Sequence, residues 1–187
     1  GQNHLREANV DASILLAILN MSASKYQSAL NVLLKAHALP GLNVDISECD
    51  DERMPQLDYY IGLAYKALKN KQKSEFYFSR SANYKLKESD YIRYYQALSM
   101  INLGQKDNAN SIFEYFIKYG EERLTKGQEI DYFAKYGERE TLSQMKSSAY
   151  LLIGLGHKGL NKTEESKGNL RKAVEFNASN IWAKAEQ

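Results

Sequence analysis

The feature that most constrains this chain is a set of residue spacings that recurs four times. From Gly62, a small Ser74 follows at twelve positions, a bulky Phe78 at sixteen and a small Ser81 at nineteen. The same offsets lead from Ala97 to Ala109, Phe113 and Phe116, and from Gly154 to Ser166, Leu170 and Ala173. They lead again from Ala17 to Ala29, Leu33 and Ala36. A repeating unit decides the architecture before any local motif does. Two helices of a hairpin approach closely only where small side chains face each other, and a bulky residue one turn on fills the gap. The clearest unit is 58–68, a polar break at 69–71, and 72–82, with apolar residues at helical spacing in both halves.

The rest of the chain agrees with helix. Only Pro40 and Pro55 occur in 187 residues, whereas a sheet-rich chain would carry more turn punctuation. Helix starts are marked by Ser24 with Gln27, Thr141 with Gln144, and Ser89 before Asp90. With 25 basic and 23 acidic residues the chain has no electrostatic footprint for nucleic acid, so no nucleic-acid partner is expected. The longest aliphatic run, Ile14 to Leu19, is far short of the roughly 20 residues a membrane span needs, so no membrane insertion is expected. Cys49 stands alone, which excludes an internal disulfide and leaves the redox compartment open. Gly1 stands where a Met would begin a reading frame, and the chain reads as a fragment of something longer. Localisation, cytoplasmic or periplasmic, is therefore not specified.

The four-fold pattern resembles the tetratricopeptide repeat, which is small at its eighth and twentieth positions, bulky at the twenty-fourth and small at the twenty-seventh. Leu68, Leu103 and Leu160 match the leucine that ends that repeat's first helix. Phe116 departs from the pattern, as do Asn20 and His157 in place of the first-helix tyrosine and Gln96 in place of a core aliphatic. The resemblance implies an all-α, right-handed α-α superhelix of about four helix pairs, near 11–38, 56–84, 89–119 and 145–177. Successive units start 45, 35 and 57 residues apart, against about 34 in the family. The excess falls in an acidic loop from Pro40 to Pro55, containing Asp45, Glu48, Asp50, Asp51 and Glu52, and in an insertion at 120–144. Within the insertion the glycine-interrupted stretches 121–126, 128–136 and 138–144 are predicted as short helices packing between the third and fourth pairs. Residues 180–187, with Trp182, are predicted to cap the last pair.

A longer likeness covers about residues 30–187. It is carried by Tyr94-Tyr95-Gln96-Ala97-Leu98, Leu103-Gly104, the segment 113–117 with Tyr119-Gly120, Asp131-Tyr132-Phe133-Ala134, and the segment 150–156. These residues are similar to the C-terminal helical region of large bacterial proteins whose N-terminal part resembles a galactose-mutarotase-like β-sandwich. After Ala134 that family's continuation is replaced by Lys135-Tyr136-Gly137-Glu138. The likeness implies an accessory domain in a carbohydrate-related protein, with a glycan as an alternative ligand, and transfers no catalytic residue.

Each candidate for chemistry has a structural counterpart. Gly154-Leu155-Gly156-His157-Lys158-Gly159 spells G-x-G-x-x-G, with Glu175 21 residues beyond Gly154. A dinucleotide site needs a parallel sheet around that turn, and a helical chain offers none; Gly154 is better read as a close-packing position. His4, His37, His157 and Cys49 share no metal-ligand spacing, so neither a metal nor a cofactor is expected. A Cys–His nucleophile would have to join a loop thiol to a helix-end imidazole, and an incidental pair is the simpler reading. The acidic loop lacks the glycine and closing glutamate of a calcium loop and reads as solvated.

Tyrosine is the compositional excess, at 14 residues. In a helix-pair array, positions two, five, nine and twelve of the first helix line the concave face. They fall at Gln56, Tyr59, Leu63 and Lys66; at Tyr91, Tyr94, Leu98 and Ile101; and at Ser148, Leu151, Leu155 and Lys158. A tyrosine-lined face suits peptide or sugar recognition, unless the rings pack between helix pairs. Tyr60, Tyr65, Tyr95 and Tyr150 are assigned to the core. Repeats that clamp a chaperone tail carry lysine at position five and asparagine at position nine; Tyr59 with Leu63, and Tyr94 with Leu98, replace them. The expectation is a non-enzymatic module that binds a protein segment, a peptide or a neighbouring domain of its own polypeptide.

Overall fold

Every small residue that opens the repeated spacing lies seven residues before a left-handed turn: Ser24 (φ 60°), Lys69 (63°), Gly104 (79°) and Asn161 (62°). At each, the turn residue's N–H donates to the carbonyl three residues back: Met21, Lys66, Ile101 and Lys158, at 3.0–3.1 Å. The next N–H reaches five residues back, to Asn20, Tyr65, Met100 and His157, at 2.8–2.9 Å. This pair of bonds satisfies the carbonyls that a helix end leaves open. A new helix then begins two residues after each turn residue, at Tyr26, Lys71, Lys106 and Thr163. Glycine adopts the turn conformation freely, and Gly104 has open space around a would-be Cβ. Gly104→Ala is therefore expected to cost about 1 kcal/mol through backbone strain alone, read as a lowered urea midpoint with an unchanged slope.

The computed structural model describes residues 2–38, 52–131 and 136–187, with side chains described for 4–38, 52–127 and 141–187. Among the described residues all regular structure is helical: α1 (Gln2–Ser22), α2 (Tyr26–His37), α3 (Met54–Ala67), α4 (Lys71–Asn83), α5 (Arg93–Asn102), α6 (Lys106–Asp131), α7 (Tyr136–Gly159), α8 (Thr163–Phe176) and α9 (Ile181–Ala185). They group into two compact units, Gly1–Leu86 with Leu98–Gln105, and Lys87–Ala97 with Lys106–Gln187.

In the first unit α2 packs on α1 and α3, and α3 on α4. The α3/α4 hairpin closes where the spacing places its small residues. Ser74 Oγ donates to the Gly62 carbonyl at 3.1 Å, and the Phe78 ring sits where a Gly62 Cβ would lie only 2.7 Å away. Ser81 Oγ donates to the Pro55 carbonyl at 2.7 Å, closing the far end. The α1/α2 hairpin carries alanine where α3/α4 has its serines, and Ala17, Ala29, Leu33 and Ala36 are all buried.

In the second unit α7 packs along both α6 and α8. Ser166 Oγ donates to the Gly154 carbonyl at 2.9 Å, and Leu170 presses on Gly154 as Phe78 does on Gly62. At the far end Ser147 Oγ donates to the Ala173 carbonyl at 2.6 Å. Positions 147 and 173 correspond to 55 and 81, so the hydroxyl has changed helix and the bond runs the other way. One hydroxyl on either helix is enough to satisfy the facing carbonyl.

The predicted insertion of short helices at 120–144 is replaced by two long helices. α6 continues unbroken to Asp131, and α7 already begins at Tyr136. The glycines taken as interruptions are close-approach positions. A Cβ on Gly120 would lie 2.5 Å from Ile153 Cγ1 and 2.8 Å from the Ala149 carbonyl, and one on Gly127 would lie 2.6 Å from Met145 Cε. Glycine inside a helix costs about 1 kcal/mol, and helix-on-helix contact here offsets it. Tyr132, Phe133 and Ala134 of the quoted motif lie outside the described residues.

The predicted C-terminal cap is present as α9. Asn180 Oδ1 accepts from the Ala183 N–H at 3.1 Å, and the buried Trp182 meets Tyr95 edge-on at 6.1 Å. Tyr95 OH and Lys158 Nζ both bind the Glu186 carboxylate, at 3.1 and 2.7 Å.

Candidate functional site

Burial divides the twelve residues expected on the first-helix face, of which Ser148 is exposed. Tyr59, Tyr94, Leu151 and Leu155 are buried. The reason is the repeat itself: a ring three residues before the small position covers the bulky residue sixteen after it. Tyr59 lies 6.2 Å from Phe78 and Tyr94 5.9 Å from Phe113, each with the following tyrosine at 5.0–5.3 Å. Tyr91 is half-buried. Lys158 is engaged by α9, donating to both the carbonyl and the carboxylate of Glu186. Leu63 and Leu98 remain half-buried, Ile101 is exposed, and Lys66 is exposed with its ammonium 2.8 Å from Asn102 Oδ1. All four of these belong to the first unit.

Gln56 is fully buried instead of lining a surface. Its Oε1 accepts from Arg53 Nη2 at 2.8 Å while Arg53 also pairs with Asp11 at 2.6 Å, tying α1 to α3. Of the residues assigned to the core, Tyr60, Tyr65 and Tyr95 are buried. Tyr150 is half-buried, stacked on Phe176 at 5.6 Å.

Sequence reasoning missed the strongest charged cluster. Asp58 is completely buried, and Arg80 grips it with two hydrogen bonds, Nε to Oδ2 and Nη2 to Oδ1, both 2.8 Å. His37 Nε2 lies 2.6 Å from Arg80 Nη2. A guanidinium only donates, so Nε2 accepts and the ring proton sits on Nδ1. Tyr77 lies against the cation at 5.0 Å and stacks on Tyr65 at 5.6 Å. Burial opposes the Arg80 charge, yet the hydrogen bonds and charge of Asp58 outweigh it and raise the pKa. The available signal was an aspartate inside the apolar run Leu57–Ile61, with an arginine 22 residues later in the facing helix. The cluster joins α2, α3 and α4, and its geometry is that of a clamp.

Gly154, Gly156 and Gly159 sit inside α7, and no strand occurs among the described residues. Gly154 faces Leu170 of α8, while Gly156 and Gly159 face Phe113 of α6. The motif is thus a two-sided packing seam. His4 is exposed, and Cys49 with Asp45, Glu48, Asp50 and Asp51 lies outside the described residues. Among the described residues no cluster of three or more His, Cys, Asp or Glu could hold a metal, and no helix is long and apolar enough to cross a membrane.

His157 Nδ1 is buried without a hydrogen-bond partner among the described residues. Desolvation, then the charge of Lys162, holds its pKa below the ordinary 6.5. Below pH 6.5 the unfolded chain binds this proton before the folded one does, so stability falls as the pH drops through that value. His157→Gln is expected to flatten that part of the pH–stability curve, checked by urea unfolding between about pH 5 and 8.

A cleft of about 360 Å³ opens beside α6 and α7, lined by Tyr119 and Arg123 from α6 and by one face of α7 from Thr141 to Leu152. No protein-family model, curated protein or solved structure matches the chain.

Proposed function

We propose that this chain is a helical-repeat interaction module of the tetratricopeptide type, holding a peptide or a neighbouring domain of its own polypeptide. The observation that carries the reading is the four-fold turn, with the same left-handed position and the same two hydrogen bonds each time. Hairpins of this kind cannot bury both faces alone; stacked in series they form a right-handed superhelix and leave a continuous first-helix surface for a ligand. The residues that remain accessible there, Leu63, Lys66, Leu98 and Ile101, offer apolar contact beside one cation. Such a surface suits a peptide with apolar anchors and an acidic residue.

Peptides selected from a random display library on the immobilised chain test this. Leu63→Asp combined with Ile101→Asp is expected to weaken the selected peptides at least tenfold, about 1.4 kcal/mol or more. Leu5→Asp, on an exposed position of α1, is the control and is expected to leave affinity unchanged. Selection of no peptide above background, or equal binding by the double variant, would reject the assignment.

A further inference from the structure

We infer that the cleft beside α6 and α7 is a binding site for a small hydroxylated carboxylate, the size of a single sugar acid. It shares Ser148 with the face expected of the fourth pair, but none of Leu63, Lys66, Leu98 and Ile101. Tyr119 and Arg123 are one turn apart on α6, so both side chains meet the cleft from the same side. Arg123 lines the cleft from an exposed position. A guanidinium facing a cleft offers a planar donor fork, for which a carboxylate is the matching bidentate ligand.

The rest of the lining selects what that carboxylate is attached to. Ser89, Thr141, Gln144 and Ser148 bring three hydroxyls and an amide to the rim, a density of mixed donors and acceptors suited to a polyol. Below them Ala149 and Leu152 are buried and Met145 half-buried, giving an apolar floor. The Tyr119 ring, stacked on Tyr115 at 5.7 Å, is held by that neighbour and adds a flat wall. A cation, a polar rim and an apolar floor with an aromatic wall are what a sugar acid presents in complement: one carboxylate, several hydroxyls and an apolar ring face. At about 360 Å³ the cleft lies at the small end of ligand-holding sites, which run from about 300 to 1,000 Å³. It accommodates a monosaccharide acid.

Titration of the full chain with glucuronate, followed by methyl NMR, tests the assignment. Saturable shifts are expected at the Met145 methyl, with a Kd on the order of 1 mM for a ligand this small in an open cleft. Glucose, which lacks the carboxylate, and acetate, which lacks the hydroxyls, are each expected to bind at least tenfold more weakly. Arg123→Ala, at an exposed position where the fold is not at stake, is expected to weaken glucuronate at least tenfold, and Arg123→Lys to recover part of the loss. No saturable shift up to about 50 mM glucuronate overturns the site. Equal binding by glucose or by the Arg123→Ala chain overturns the role of the carboxylate, and equal binding by acetate overturns the role of the hydroxyls.

Discussion

Replacing Arg80 with alanine is expected to destabilise the first unit by about 3–5 kcal/mol, the range seen when one partner of a buried ion pair is removed. Asp58 has no exposed surface, and among the described residues Arg80 supplies both of its close hydrogen bonds, with His37 Nε2 3.4 Å away. The carboxylate would be left charged in a fully buried site, or would have to take up a proton. The guanidinium also lies against the Tyr77 and Phe76 rings at 5.0 and 5.5 Å, so its loss removes packing as well as charge. The companion variant decides the cause. Asp58→Leu with Arg80→Met removes both charges and keeps volume, and it should recover most of the loss in thermal unfolding. If the double variant were as unstable as Arg80→Ala, packing and not the buried charge would be the source.

The second large effect is expected at Gly156. Valine there should cost about 3 kcal/mol, the upper part of the range for overpacking. A Cβ at this position would lie 2.6 Å from the Phe113 carbonyl and 2.7 Å from Ile117 Cγ1, and the carbonyl is fixed within α6. Helix propensity argues the opposite, since leaving glycine gains up to about 1 kcal/mol, so the sign of the change reports which effect wins. Gly168 provides the contrast. It lies within α8 with nothing inside 4 Å of a would-be Cβ, and Gly168→Ala should stabilise the chain by about 1 kcal/mol. Circular dichroism of the two variants side by side would show opposite shifts in unfolding midpoint; shifts of the same sign would refute the packing account.

These two sites mark different degrees of legibility. The small residues of the repeat were readable because the offset of twelve positions is set by helix length plus turn length, both local quantities. The hydrogen bonds from Ser74 to Gly62 and from Ser166 to Gly154 fall on that offset. Gly156 and Gly159 have no such local signal, for a complementary reason. Their partner, Phe113, belongs to another helix pair, and no spacing within α7 points to it. Asp58 was passed over on similar grounds, because its value depends on a guanidinium and an imidazole brought in from two neighbouring helices.

The tyrosines follow the same division. Periodicity put Tyr59 and Tyr94 on the first helices, but it could not tell whether a ring at that position faces a groove or closes over the bulky residue of the facing helix. Phe78 and Phe113 are large enough to meet them, and the rings are buried. The 120–144 stretch shows the limit from another side. Glycines read as helix breaks there are tolerated because α7 comes close enough to use their missing side chains.

By itself, then, the sequence determined the helical content, the hairpin turns and the small-on-bulky contacts of the α3/α4 and α7/α8 pairs, since each depends on residues fewer than about 25 apart and on the fixed pitch of a helix. Only the tertiary structure decided which glycines are seams, which tyrosines are core, that α6 and α7 run long, and that Arg123 faces a cleft with a polar rim. Those outcomes depend on which side chains arrive from other helix pairs, and burial and charge pairing are properties of that meeting, which no single segment encodes.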